Sequence, residues 1–142
     1  MTALSLAAVS TGLAAALNVP AVTSLAPGGV FDDLAEGVTF PCVLVSVGEA
    51  AQMGGLGTKP GVGNFPEVQV RIYVFTQTFG FKTAQAITDA ILLALADPPA
   101  VSGFGSWAIF HDQTLPVTDS LIAGQKVQEL VSDFRLYVEN AA

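Results

Sequence analysis

Residues 67–96 show the clearest change of hydrophobic period in the chain. Residues 67–77 alternate between apolar and mainly polar or aromatic positions, which predicts a strand. Its inward row is Val68, Val70, Ile72 and Val74. After Gly80 the spacing becomes three to four, which predicts a helix. The apolar stripe of this helix is Ala84, Ile87, Ile91 and Leu95. Because the turn between them is short, we expect the helix to fold back onto the apolar face of the strand.

The remaining apolar patterns predict a first helix and four further extended segments. Helical spacing over residues 1–17 predicts a helix with Thr2 as its cap and Pro20 beyond its end. The stripe of this helix is Leu6, Val9, Leu13 and Leu17. Residues 19–29 are expected to be irregular. Extended segments are predicted at residues 30–31, 40–47, 106–114 and 126–139, with a connector at 117–124.

These elements predict an α+β fold. We expect an antiparallel sheet of about four to five strands, with two helices packed on one face. The length of 142 residues suits a single domain over residues 1–142. Residues 1–17 lack the basic start of a signal peptide, and no apolar run reaches the roughly 18–20 residues that span a membrane.

Two outward positions are candidates for a cross-strand ion pair. Arg71 faces outward on the strand at residues 67–77, and Asp133 faces outward on the last strand. If these strands are antiparallel neighbours, the two side chains pair for about 0.2–1 kcal/mol. The alternative is that both side chains are solvated.

The charge of the chain argues against nucleic-acid binding. Twelve acidic and five basic residues give a net charge of −7, and the basic residues are scattered. No cluster of lysine or arginine is present to displace counterions from phosphates. Only 12% of residues are charged, which is typical either of a surface covered by other subunits or of a polar, uncharged monomer surface.

Catalytic residue combinations are absent from the sequence pattern. His111 is the only histidine and Cys42 the only cysteine, so a histidine pair or a zinc site with cysteine spacing is impossible within one chain. His111 and Asp112 are adjacent on a predicted strand and point to opposite faces. The pair Asp32 and Asp33 is more typical of a solvated turn than of a cation site. We therefore predict no enzyme, no cofactor and no metal.

Residues 50–65 are rich in glycine and predict a flexible loop. A loop of this length in a small domain is usually functional or disordered. It lacks the pattern of a phosphate-binding loop. Its apolar residues and single lysine suggest an arm that orders against a neighbouring subunit, and a passive loop is the alternative. The expected interface residues are Met53, Leu56, Lys59, Val62 and Phe65 in this arm, together with Asp32, Asp33 and Arg71.

The order of these segments resembles the tail-completion, or tail-terminator, proteins of long-tailed bacteriophages. The similar segments are VFDD at 30–33, FPCVLVSVGE at 40–49, VQVRIYVFTQTFGFKTAQAITDAILLAL at 68–95 and FRLYVE at 134–139. Within them, Val74-Phe75-Thr76 leads into a helix with the family's alanine and isoleucine spacing. The chain departs from the family pattern at Cys42 and in the long glycine-rich loop.

The resemblance implies a structural virion protein at the head–tail interface, assembled in the cytoplasm of the bacterial host. It implies a ring, six-fold in relatives, that caps the tail tube and contacts the head–tail connector. An acidic ring would let DNA pass through its lumen without binding. A sheet edge of one subunit pairing with its neighbour would close such a ring. The alternatives are a head-completion or connector protein and, in another class, a small catabolic or ligand-binding domain.

Overall fold

The computed structural model describes residues 6–32, 38–53, 65–77, 81–101, 104–122 and 124–140. Within these ranges the helices are α1 (Leu6–Leu17), α2 (Pro20–Thr23) and α3 (Lys82–Ala94). The strands are β1 (Val30–Phe31), β2 (Cys42–Met53), β3 (Phe65–Thr76), β4 (Phe104–Ile122) and β5 (Gln125–Asn140). The predicted α+β class is confirmed, because the two longer helices pack on one face of a five-stranded sheet.

The sheet has the strand order β1-β2-β3-β5-β4. Every neighbouring pair is antiparallel except β1 and β2, which run parallel. The predicted antiparallel sheet of four to five strands is confirmed for three of the four strand pairs, and the β1–β2 pair makes the sheet mixed.

The core lies between the helices and one face of the sheet, here called the inner face. The four predicted inward residues of β3 are all at most 2% exposed. The stripe of α3 and the inward residues of β5 are buried in the same cluster, as predicted. Alternation on β3 and β5 places every second side chain against this layer. Burial of each Ile or Leu there stabilises the fold by roughly 1.5–3 kcal/mol before entropy is subtracted.

Helix α1 confirms the predicted stripe at Val9, Leu13 and Leu17, which are fully buried. The predicted cap Thr2 and the Leu6 side chain lie outside the described residues. The prediction that residues 19–29 are irregular is wrong for Pro20–Thr23, which form the single turn α2. Pro20 lies beyond the end of α1 and opens α2. It can do so because the first helical positions do not need the N–H group that proline lacks.

Three strands, β2, β3 and β4, extend beyond their predicted ends. β2 continues to Met53 and β3 begins at Phe65, so the predicted loop at 50–65 is shorter than expected. β4 runs to Ile122, so the predicted connector at 117–124 is wrong. Each extension lies beyond or beside a register irregularity, between Val47 and Ala50 in β2 and at three places in β4. A bulge shifts the period of two, which hides the continuation in the sequence.

A small second cluster covers one end of the outer face, which is the face opposite the helices. Phe75 is an outward residue of β3, yet it is only 2% exposed. It packs with Cys42 and Val127 beneath Phe31 and Phe40. The segment that joins β1 to β2 therefore shields part of the outer face.

The packing of α3 on the inner face can be tested at Ile87, because its side chain is fully buried between α3 and the sheet. Ile87→Asp places an unpaired carboxylate there, and we expect the protein not to fold. Ala86→Asp adds the same charge at an exposed neighbouring position and should leave folding intact, at the cost of up to about 0.7 kcal/mol of helix propensity. Circular dichroism melts compare the two; a soluble, cooperatively melting Ile87→Asp protein would refute this packing.

Gly12 tests the contact between α1 and the segment that follows α3. A Cβ atom at Gly12 would meet the carbonyl oxygen of Ala100 well inside van der Waals contact. Alanine favours a helix over glycine by about 1 kcal/mol. The clash is with backbone, so we expect Gly12→Ala to be destabilising by about 1–3 kcal/mol instead. Chemical denaturation measures this, with Thr11→Ala at the adjacent exposed position as the control, expected to change stability by less than about 0.5 kcal/mol.

Candidate assembly surfaces

The predicted interface residues are only partly within the described structure. Asp32 is exposed directly after β1, at a bend. Arg71 is exposed on the outer face of β3. Asp33 lies outside the described residues, so the acidic pair of Asp32 and Asp33 stays a prediction.

The predicted arm is described only at its two ends. The backbones of Met53 and Phe65 pair with each other at the end of the β2–β3 hairpin. Their side chains, and all of Leu56, Lys59 and Val62, lie outside the described residues. The arm therefore stays a prediction.

Arg71 and Asp133 form the predicted cross-strand pair. They are directly opposite in the β3–β5 ladder, and Arg71 Nε donates to Asp133 Oδ1 at 2.7 Å. Gln113 Nε2 of β4 donates to the other carboxylate oxygen at 2.9 Å. The hydrogen bond from Arg71, and then that from Gln113, lower the pKa of the Asp133 carboxyl below its ordinary value. Arg71, Asp133 and Gln113 thus connect β3, β5 and β4 on the outer face.

A second ion pair follows on the same face. Arg135 Nε donates to both carboxylate oxygens of Asp112, at 2.9 and 3.0 Å. The Arg135 guanidinium lies 5.6 Å from the centre of the Phe110 ring, which meets the Tyr137 ring edge-on at 5.7 Å. Both arginines of the chain are thus paired with carboxylates of their own sheet. A hollow of about 420 Å³ beside them is lined partly by these paired groups.

An apolar row crosses the outer face next to the polar one. Its members are successive ladder partners on all five strands: Phe31, Leu44, Tyr73, Val131 and Leu115. Val131 is buried, whereas Leu115 at the end of the row on β4 is 50% exposed. No described helix covers this face, so the row ends on an open edge of the sheet.

The edge strand β4 carries an exposed apolar row, which we call the edge row: Phe110, Leu115 and Val117. These side chains are 46%, 50% and 40% exposed. Each lies on the outer face, opposite an outward residue of β5. Phe110 lies within the predicted strand at 106–114, but Leu115 and Val117 were missed because the strand was predicted to stop at residue 114. The signal was present, since Leu115 and Val117 continue an alternation that a bulge had displaced.

On the inner face, β4 borders an open groove beside α3, here called the α3–β4 groove. Its wall consists of Phe81, Gln85, Thr88, Asp89 and Leu92. Its floor consists of Thr114, Pro116 and Leu130. The volume is about 420 Å³. The groove exists because α3 packs on β3 and β5 and α1 packs on β2, while no described helix packs on β4 to a similar extent.

The candidate reactive residues His111 and Cys42 both contact other side chains of the fold. His111 Nε2 is 2.7 Å from Thr114 Oγ1, and its ring centre is 5.1 Å from that of Phe134. Cys42 is buried, as predicted, and burial raises the pKa of its thiol to about 11. Among the described residues, no group of three or more histidine, cysteine or acidic side chains is placed to hold a metal ion. In the same part of the chain, no helix has the length and apolar character needed to cross a bilayer.

Comparison with known proteins decides the family. The sequence model of the family described as tail completion protein gp17 matches residues 12–139. The chain belongs to this family. Its membership confirms the resemblance seen in the sequence and makes the chain a structural tail-completion protein of phage type.

A solved structure shares the fold of this tail-completion protein. One chain of the virion of a native gene transfer agent particle superposes with a TM-score of 0.72 at 20% sequence identity. The match covers 97% of this chain and 100% of the other. A search of curated protein sequences gives no match.

The Arg71–Asp133 pair gives a pH-dependent prediction. The pKa of Asp133 is lowered in the folded protein, so its stabilising effect is present above the ordinary carboxyl pKa of 3.8 and is lost as the pH falls through the lowered value. Both side chains contact solvent, so we expect Asp133→Asn to be destabilising by only about 0.2–1 kcal/mol at pH 7. Denaturant titrations at pH 7 and pH 2.5 measure the difference, which should shrink at the lower pH.

The control for this pair is a double-mutant cycle. In an Arg71→Met background, Asp133→Asn should cost less than in the native chain, because the main donor to the carboxylate is gone. Equal effects of Asp133→Asn in both backgrounds would show that the pair contributes no coupling energy.

Proposed function

We propose that this tail-completion protein is a tail terminator. In this proposal, copies of the chain assemble into a ring, six-fold by the family resemblance, that closes the finished tail tube. The ring also joins the tube to the head connector, so the protein acts at the head–tail interface of the virion. The role is structural, with no catalytic step and no cofactor.

The observation that carries the proposal is the open edge at β4. An edge strand of 19 residues with an exposed apolar row is a hazard for a free monomer, and natural edges usually carry lysine to prevent association. β4 contains no lysine or arginine. Its acids are Asp112 and Asp119, and Asp112 is paired with Arg135. The edge is therefore suited to contact another copy.

The contact would rest on side chains more than on a long backbone ladder. Pro116 lacks an N–H group, and three register irregularities interrupt β4. The opposite edge of the described sheet, β1, has only two residues. A ring needs two different surfaces that meet head to tail. The β4 side and the β1 side are such a pair.

The acidity of the chain fits a channel for DNA. Each copy contributes a net charge of −7, and the paired arginines leave little free positive charge on the outer face. A ring of such copies repels phosphates, so DNA passes through without specific binding. The predicted arm at 50–65 is proposed to strengthen this assembly.

Leu115→Lys tests the edge row. Leu115 is half exposed in one copy, so its burial between copies contributes about 1 kcal/mol and lysine removes that contribution. We expect association at least about tenfold weaker per interface, because the lysine charge must also be desolvated. Light scattering after size exclusion, together with negative-stain images, measures rings against monomers. Gln69→Lys, exposed on the outer face of β3, adds the same charge and is the matched control.

The outcomes separate the competing functions. Wild-type rings that bind isolated tail tubes support a terminator, whereas rings that bind only heads would favour a head-completion protein. A wild-type protein that stays monomeric at high concentration would contradict both. Normal rings from Leu115→Lys would be consistent with the proposed ring but would show that the edge row is not part of its interface.

A further inference from the structure

The α3–β4 groove needs an occupant that the described chain does not supply. Phe81, Leu92 and Pro116 line it with apolar surface beside an edge strand. Helices lie over the other strands of the sheet, so the groove has the position of a missing helix in that layer. We propose that helix α1 of the next copy in the ring packs along the open side of this groove and closes it. The inference rests on the proposed ring and names the surfaces that form it.

Helix α1 has the chemistry of a helix that is covered on two sides. Its twelve residues, LAAVSTGLAAAL, include no charged side chain. One stripe is buried in its own core, as described above. On the opposite side Ala7, Thr11 and Ala15 are exposed at helical spacing. A helix that is apolar all round is typically buried, and small side chains let a second element approach closely.

The order of the sheet places these two surfaces together. β4 is one edge and β1 is the other, and α1 packs over β1 and β2. If β1 of the next copy follows β4, its α1 comes to lie over the boundary, next to α3. The layer of helices then continues across the interface, with the groove between α3 and the incoming α1.

Charge favours a copy of this chain as the occupant. Two molecules with net charges of −7 repel each other unless they meet through neutral surfaces. The α1 helix is neutral, and Asp89 is the only charged side chain among the described residues that line the groove. The described groove and helix α1 can therefore meet without placing two carboxylates against each other.

The predicted arm of the same copy is too far away to fill the groove. The arm leaves the sheet at Met53 and Phe65, whereas the groove floor includes Leu130, the ladder partner of Val74. Nine residues of strand separate Phe65 from Val74, which is about 30 Å. An eleven-residue loop that must return to its start reaches about 18 Å at most. The arm of another copy remains a competing occupant for the test.

The test places a photoreactive group in the groove of the full-length chain. Gln85→Cys provides an exposed thiol on the groove wall, which is labelled with benzophenone maleimide. The native Cys42 stays unlabelled because its thiol is buried and its pKa is raised to about 11. Labelled copies with natural isotopes are mixed with unlabelled copies enriched in nitrogen-15, and the mixture is irradiated. Ala86→Cys, exposed one residue further along α3 and outside the groove lining, carries the same label as the matched control.

Cleavage at glutamate identifies the occupant. The glutamates at positions 36, 49 and 67 separate peptide 1–36, which contains α1, from peptide 50–67, which contains the arm. We expect cross-links from position 85 to nitrogen-15 peptide 1–36, several-fold more abundant than from position 86. Cross-links to peptide 50–67, to tail tube protein in assembled tails, or only within one copy would overturn the proposal.

The result distinguishes this inference from the proposed function. Rings in the microscope without an excess of cross-links to peptide 1–36 would overturn the placement of α1 and leave the terminator role intact. Absence of rings together with absence of cross-links would overturn both.

Discussion

The width of the helical layer is the constraint on which the structure depends. Five strands about 4.8 Å apart present a face about 24 Å wide, whereas two helices of about 10 Å each cover about 20 Å. α1 and α3 are placed over β2, β3 and β5, where the inward valines and isoleucines lie. One strand is necessarily left without a helix. That strand is β4, and both candidate assembly surfaces lie along it.

The sequence predicted the parts of the fold in which the period is unbroken. Val68 to Val74 on β3 and Ile87 to Leu95 on α3 follow their ideal spacings, so their burial was predicted residue by residue. The Arg71–Asp133 pair was also predictable, because both residues face outward and their strands are neighbours. The local pattern and the tertiary structure agree there, since each inward side chain meets the same apolar layer.

The sequence did not predict the parts that depend on bulges or on neighbours far along the chain. The irregularity between His111 and Gln113 displaces the alternation, so Leu115 was left beyond the predicted strand and Val117 was assigned to a connector. The parallel pairing of β1 with β2 could not be predicted, because a strand of two residues is too short to show a period. The burial of Phe75 depends on Phe31 and Phe40 lying across it. Leu115 and Val117 of the edge row were missed for the first of these reasons, and the α3–β4 groove because it exists only once the strand order is known.

The position of β3 between β2 and β5 affects the order in which the sheet forms while the chain is being synthesised. β2 and β3 form a hairpin, but Arg71 meets Asp133 only after 62 more residues. β3 therefore stays an unpaired edge on one side until α3 and β4 have been made. Contacts of such long sequence separation slow folding, because the loop must close before they form. The nascent chain passes through a stage in which the future centre of the sheet is its open edge, and α3, folding next, is the first element available to shield it.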